Sequence, residues 1–158
     1  MIRKIKPSDR QALENILNSI AQFNKNDIDV ALELIDIAIN IPGQTDYHLF
    51  VYEEDGVVYG YHCIGKRPIT DAVYDLYWIV VDANTARKGV GSVLLKHAEE
   101  FVKQQNGRWL LAETSSKESY DKTRRFYLKN EYSILAEIKD FYSLGEALVI
   151  YGKYFLNK

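Results

Sequence analysis

Hydrophobic positions recur along this chain with two different periods, and the places where the period changes mark its elements. Residues 2–5 alternate as a short strand. Pro7-Ser8-Asp9-Arg10-Gln11 follows, with Ser8 and Gln11 at capping-box spacing. Leu13, Ile16, Leu17 and Ile20 then recur at helical period and predict an amphipathic helix over residues 9–23. Asp27 or Asp29 is placed to cap a second helix carrying Val30, Leu34, Ile35 and Ala38, which Asn40-Ile41-Pro42-Gly43 stops. From residue 47 the period shortens to that of strands. Residues 47–53 and 57–65 flank Glu54-Asp55-Gly56, whose Asp-Gly pair signals a hairpin. Residues 72–81 form a third run, dense in Tyr, Trp, Ile and Val. A helix from about Gly89 gathers Val90, Leu94, Ala98 and Phe101 on one side and ends at Asn106-Gly107. A strand over 108–113, a helix over 119–129 and strands near 132–138 and 147–154 complete the pattern.

The order β-α-α-β-β-β-α-β-α-β-β places antiparallel strands in the middle and a β-α-β crossover after them. It predicts an α/β protein of the α+β type, with a mixed, mostly antiparallel seven-stranded twisted sheet and helices on both faces. No repeat, low-complexity tract or linker interrupts residues 1–158, so one domain is expected.

Composition narrows the function classes. Hydrophobic residues make up 47% of the 158, enough for a two-layer core and too many for disorder. Lys plus Arg number 20 against 22 Asp plus Glu, a formal charge of −2 and a pI near 5.9. That balance leaves no electrostatic footprint for nucleic acid and suits a cationic small partner. No apolar run approaches a membrane span, and residues 1–5 lack the apolar stretch of a signal peptide, so a cytoplasmic protein without a membrane partner is expected. Cys63, the one cysteine, excludes an internal disulfide and a cysteine-rich zinc site. His48, His62 and His97 lack the spacing of a metal pair and read as packed or surface residues, so no metal is expected.

The chemically informative segment runs from Ile79 to Ser92, Ile-Val-Val-Asp-Ala-Asn-Thr-Ala-Arg-Lys-Gly-Val-Gly-Ser. A strand enters a loop with two glycines, and a helix leaves it. Such a turn either cradles a phosphate on the unpaired N–H groups of the first helical turn or simply connects strand to helix tightly. A P-loop is excluded because G-x-x-x-x-G-K-[ST] is absent. A dinucleotide fingerprint is excluded because Leu94 stands where its last small residue belongs.

Four segments in order resemble the GNAT superfamily of acyl-CoA-dependent N-acyltransferases. Tyr74-Asp75-Leu76-Tyr77-Trp78-Ile79-Val80-Val81-Asp82 is similar to its central strand, and Ala86-Arg87-Lys88-Gly89-Val90-Gly91 to its pyrophosphate loop. The strand from Trp109 to Glu113 takes the place of the splayed partner strand. Arg125-Phe126-Tyr127-Leu128-Lys129-Asn130-Glu131-Tyr132 resembles the F-Y-x-K-x-G-[FY] segment. Three positions depart from the family pattern: Ala86 stands for the usual Gln or Arg, Tyr120 for an asparagine that contacts the pantetheine arm, and Glu131 for a glycine.

The resemblance implies acetyl transfer from acetyl-CoA to a primary amine, through direct attack in a ternary complex. It implies that the backbone of Ile79, Val80 and Val81 holds the pantetheine and polarises the thioester. Arg87, Lys88, Gly89, Val90, Gly91 and Ser92 would cradle the phosphates, and Tyr120 belongs with the donor site. Tyr127 is implied as the general acid that protonates the leaving thiolate. Asp75, six residues before Val81, is the expected general base, and Glu113 at the end of the neighbouring strand is its rival. Residues 140–146, with two aromatics and two acids, either line an acceptor pocket or form a plain hairpin loop. The tyrosine-rich strands would permit a sheet-edge homodimer. An acyl-CoA-binding regulatory module without catalysis is the rival function, kept open by Ala86, Tyr120 and Glu131.

Overall fold

The computed structural model describes residues 1–85 and 89–155. Seven strands form one sheet: β1 (Ile2–Lys4), β2 (His48–Glu54), β3 (Val57–Lys66), β4 (Val73–Val81), β5 (Trp109–Ser115), β6 (Ser133–Ser143) and β7 (Glu146–Tyr154). Their spatial order is β1-β2-β3-β4-β5-β7-β6. Every neighbouring pair is antiparallel except β4 and β5, which the helix between them joins in parallel. The expected mixed seven-stranded sheet is therefore present, with helices on both faces.

Alternation along the strands builds two cores. Ile64, Tyr74, Leu76, Leu110 and Ala112 face α3 (Val90–Gln104) and α4 (Asp121–Lys129), meeting Leu95, Ala98, Val102 and Tyr127. Leu49, Val51, Tyr61, Cys63 and Val80 face the other way, onto Leu13, Leu17, Ala31 and Ile35 of α1 (Arg10–Ser19) and α2 (Lys25–Asn40).

Several boundaries differ from the sequence pattern for local reasons. The Ser8–Gln11 box does not form. Pro7–Asp9 make a 3₁₀ turn in which the Asp9 carboxylate accepts from the Lys6 N–H at 2.7 Å and is gripped by Arg3. Helix α1 stops at Ser19 rather than near Phe23, and the α2 cap is Asn24, not Asp27 or Asp29. Asn24 Oδ1 accepts from the Asp27 N–H and the Asp27 carboxylate accepts from the Asn24 N–H, both at 2.9 Å, a reciprocal capping box. Strand β6 continues to Ser143, although its ladder to β7 is interrupted between Ile138 and Ser143. Asp140 adopts φ +53°, and its carboxylate accepts from the Gly145 N–H at 2.7 Å, making a bulge and not a turn.

Behind β4, His62 of β3 is fully buried, and its Nε2 lies 2.9 Å from His97 Nδ1 on α3. Phe50 packs against both rings. His62 Nδ1 has no partner among the described residues. A dry lone pair is the lesser penalty there, so His62 donates from Nε2 and stays neutral. Burial first, and then His97, lower its pKa to about 3. Below pH 6.5 the unfolded chain protonates this histidine while the folded chain does not, so stability falls as pH falls from about 6.5 toward 3. The limit for one such group is about 1.4 kcal/mol per pH unit. Between pH 6 and pH 5, the wild type should lose about 2–4 °C more in Tm than His62→Leu. Thermal melts across that range check this, and parallel curves would show that the folded protein protonates His62.

Candidate functional site

The site begins where the sheet comes apart. Strands β4 and β5 pair only through Val73–Trp109, Tyr74–Leu110 and Asp75–Leu111. Beyond that point β4 stays zipped to β3, and β5 stays zipped to β7 through all seven of its residues. Tyr77 is an extra residue in β4, since Cys63 pairs with Trp78 and Ile64 with Leu76. The gap opens into a cleft of about 720 Å³. Six successive residues of β4, Leu76 to Val81, line it, as do Glu113, Thr114 and Ser115 of β5. Successive side chains of a strand point to opposite faces, so consecutive lining residues mean that the open backbone edges face the cleft.

The cleft meets both faces of the sheet. On the α1–α2 side its wall includes Phe23, Asn24 and Asp27, and on the α4 side Tyr120, Thr123 and Tyr127. Hydrogen bonds brace its rim. Arg124 donates to the carbonyls of Ser115 and Lys117, both at 2.7 Å, fixing the chain that leaves β5. Gln22 donates to the Ser119 carbonyl at 3.1 Å and links the α1–α2 connection to the α4 side. Glu146 accepts from Ser115 at 2.6 Å and pairs with Lys117 at 3.2 Å; the Ser115 bond and the lysine hold its carboxyl below the usual range.

Tyr127 is 4% exposed, stacked on Tyr151 at 5.4 Å and edged by Phe126, and it lines the cleft. Burial raises its phenol well above the ordinary value, so it stays protonated at working pH. No described residue hydrogen-bonds its hydroxyl.

The two expected carboxylates are brought together, but on an arginine the sequence reading did not single out. Arg67 Nε lies 3.0 Å from Asp75 Oδ2, and Arg67 Nη2 lies 3.2 Å from Glu113 Oε1. These bonds, Asp75's first, raise the guanidinium above its ordinary value. Glu113 lines the cleft, whereas Asp75 is buried at the fork and does not. Tyr77 beside them is pushed up to about 12, by burial first and then by Asp75.

At the far end, Asp82 accepts from the Asn84 N–H at 2.9 Å and closes a turn after β4. Gly89 enters α3 at φ +90°, a conformation that favours glycine. Val90, Gly91 and Ser92 form the first turn, whose N–H groups have no partner within the helix. Ala86, Arg87 and Lys88 lie outside the described residues.

The acetyltransferase (GNAT) domain model matches residues 45–134. The chain belongs to the GNAT family. Members of that family are acetyl-CoA-dependent N-acyltransferases. A GNAT-family protein from Desulfovibrio desulfuricans is 35% identical, with 98% of each chain covered and a TM-score of 0.93. A curated relative, S-(2-succino)cysteine N-acetyltransferase of Bacillus subtilis, is 29% identical over 96 residues. That match spans 58% of this chain and 58% of the relative's own length. A Salmonella typhimurium structure solved with acetyl-CoA shares the fold at TM-score 0.76 and 19% identity, covering 100% of this chain and 95% of its own.

The GNAT cleft also shows what sequence reading missed. Thr114, Lys117 and Phe23 line it without a motif to mark them. Of residues 140–146, Tyr142 and Glu146 reach the cleft, while Asp140 and Phe141 do not. The chain near them is strand, with a turn only at Leu144-Gly145. Among the described residues no helix is long and apolar enough to cross a membrane.

Proposed function

We propose that this protein transfers the acetyl group of acetyl-CoA to a primary amine by direct attack in a ternary complex. The observation that carries this is the forked cleft, with two open backbone edges and a buried, protonated tyrosine in its wall. An extended pantetheine arm is the right shape to fill a gap one strand wide, pairing with the edge of Ile79, Val80 and Val81. An N–H on that edge polarises the thioester carbonyl. The phosphates rest on the first turn of α3, at Gly89, Val90, Gly91 and Ser92, with Arg87 and Lys88 adding charge. Tyr120 flanks the arm.

The amine enters from the α1–α2 side, where Glu113 opens into the cleft. Its nitrogen attacks the thioester carbon, forming C–N as C–S breaks. The ammonium proton passes to Glu113, and Tyr127 gives its proton to the departing sulfur. Glu113 is the better placed base because it lines the cleft; Asp75 acts through Arg67, which it orients. Both the acid and the base are thus supplied by the fork itself. The free, buried Cys63 suits a cytoplasmic setting.

CoA should raise Tm, because a ligand of the native state stabilises it by mass action. A Cβ at Gly91 meets the Phe126 ring at 3.4 Å and the Val81 side chain at 3.8 Å, both ordinary contacts, so Gly91→Val should fold and yet lose most of that rise. A full shift in the variant would remove the first turn of α3 from the donor site. Glu113→Gln should lower kcat at neutral pH by roughly 10–100-fold, and more than Asp75→Asn does, with partial recovery at high pH as free amine accumulates. The reverse order would make Asp75 the base.

Tyr127→Phe removes one oxygen and leaves the ring stack. Loss of a general acid should reduce kcat by about 10²–10⁴, with CoA binding and Tm close to wild type. A rate within about threefold of wild type would mean that another group protonates the thiolate. CoA binding without turnover on any amine, in the wild type, would favour a regulatory module instead.

A further inference from the structure

The sheet has two edges, β1 and β6, and they are built differently. Strand β1 is three residues long, and its Arg3 is tied to Asp9 and Glu53. Strand β6 is eleven residues long, has β7 on one side only, and is exposed at every residue. Ile134, Leu135, Ile138, Phe141 and Tyr142, with Leu144 just beyond, are each between 43% and 92% exposed. Together these six leave on the order of 600 Å² of apolar surface in water, the size of the largest patch on a typical monomer. A long, uncovered, proline-free edge is a template for another strand.

The order of residues along β6 says which strand. Counted outward from Ile138, Glu137 is matched by Lys139, Leu135 by Phe141, Ile134 by Tyr142 and Ser133 by Ser143. The strand is therefore complementary to itself when reversed. Antiparallel pairing about a two-fold axis at Ile138 sets Glu137 opposite Lys139 twice and apolar side chains opposite one another on both flanks. Among the described residues neither Glu137 nor Lys139 has an ion-pair partner in its own chain. Asp140 falls opposite Ala136 and needs no cation, because its carboxylate already accepts from the Gly145 N–H at 2.7 Å. Neighbouring registers fit worse. An axis at Glu137, Lys139 or Asp140 puts like charges against each other, and one at Ala136 puts Glu137 against Leu135 and Lys139 against Ser133. The centre is also regular strand, with Ala136, Glu137 and Ile138 in unbroken register against β7.

We propose that the protein forms a two-fold dimer in which β6 pairs antiparallel with β6 of a second copy, centred on Ile138. The two sheets become continuous. Strand β1 is too short to pair with β6 head to tail, so the contact closes on itself. Tyr142, which lines the cleft, meets Ile134 of the second copy in this register, so the interface borders the site.

Analytical ultracentrifugation of the whole chain tests this. Wild type should sediment as a dimer at about 100 µM, with a Kd in the micromolar range or tighter. Glu137→Lys and Lys139→Glu, each alone, oppose like charges at two places and should raise that Kd roughly tenfold to hundredfold. An equimolar mixture of the two variants should regain the wild-type Kd within about threefold, because each chain supplies the charge that the other lacks. Ile138→Lys, which sets two ammonium groups at the axis, should be monomeric. Far-UV circular dichroism of all three should match wild type, since every substituted side chain is exposed. A wild type that stays monomeric at about 100 µM overturns the proposal and leaves β6 to a different partner. Single charge variants that dimerise like wild type overturn it, and so does a mixture that stays dissociated, because either result removes the register. Species that grow beyond a dimer with concentration also overturn it, by replacing the closed pair with an open array. None of these outcomes bears on the donor reading, which CoA binding tests separately.

Discussion

The early parting of β4 and β5 is the constraint on which the rest depends. Three residue pairs hold the two halves of the sheet together, and past Asp75 and Leu111 each strand keeps a partner on only one side. An unpaired strand edge inside a protein is costly unless something completes it. The fold keeps the edges apart by other means. The additional residue Tyr77 turns β4 locally, and Arg124 and Gln22 tie down the connections that frame the opening. The result is a cleft lined by the parted stretches of both strands.

Because the gap cuts through the sheet, it has two sides with different chemistry. Thr114 and Tyr127 lie with α3 and α4, above a core of Leu110, Ala112, Tyr132, Val149 and Tyr151. Glu113, joined to Asp75 through Arg67, lies on the side of α1 and α2. In the proposed reaction the thioester and the amine would approach from opposite faces and meet at the fork. Arg67 keeps its two carboxylates close together without letting their like charges repel them apart. Behind β4, the neutral His62–His97 pair and Phe50 pack a dry wall against the strand that carries Ile79, the residue facing His62 across the ladder.

Much of this was legible in the sequence, because element order follows from period changes and breakers. Tyr127 and the Gly89–Gly91 turn were found because they belong to short motifs with local geometry. What sequence could not show depends on contacts between distant residues. Asn24 caps α2 because Asp27 answers it, while the pattern alone favoured the aspartates. Residues 140–143 looked like a loop because Asp140 is a turn former, but its carboxylate binds the Gly145 N–H and lets the strand run on. Arg67 carried no signal at all, since its meaning lies in Asp75 and Glu113, 8 and 46 residues away.

Tyr127 shows how the fork balances competing demands. Stacking on Tyr151 removes the phenol from water, which raises its pKa and weakens it as an acid. Taken alone, that would hinder protonation of a leaving thiolate whose own pKa in water is about 8.5. In the proposed reaction the thiolate would form beside the same buried ring, where desolvation disfavours its charge as it disfavours a phenolate's. Its basicity rises with that of the tyrosine, so the difference between donor and acceptor changes less than either value. In the same reading, packing against Phe126 and Tyr151 would hold the ring, and with it the proton, at the cleft wall. A solvent-exposed phenol at this position would be the stronger acid, but without the ring contacts nothing would fix its hydroxyl toward the cleft.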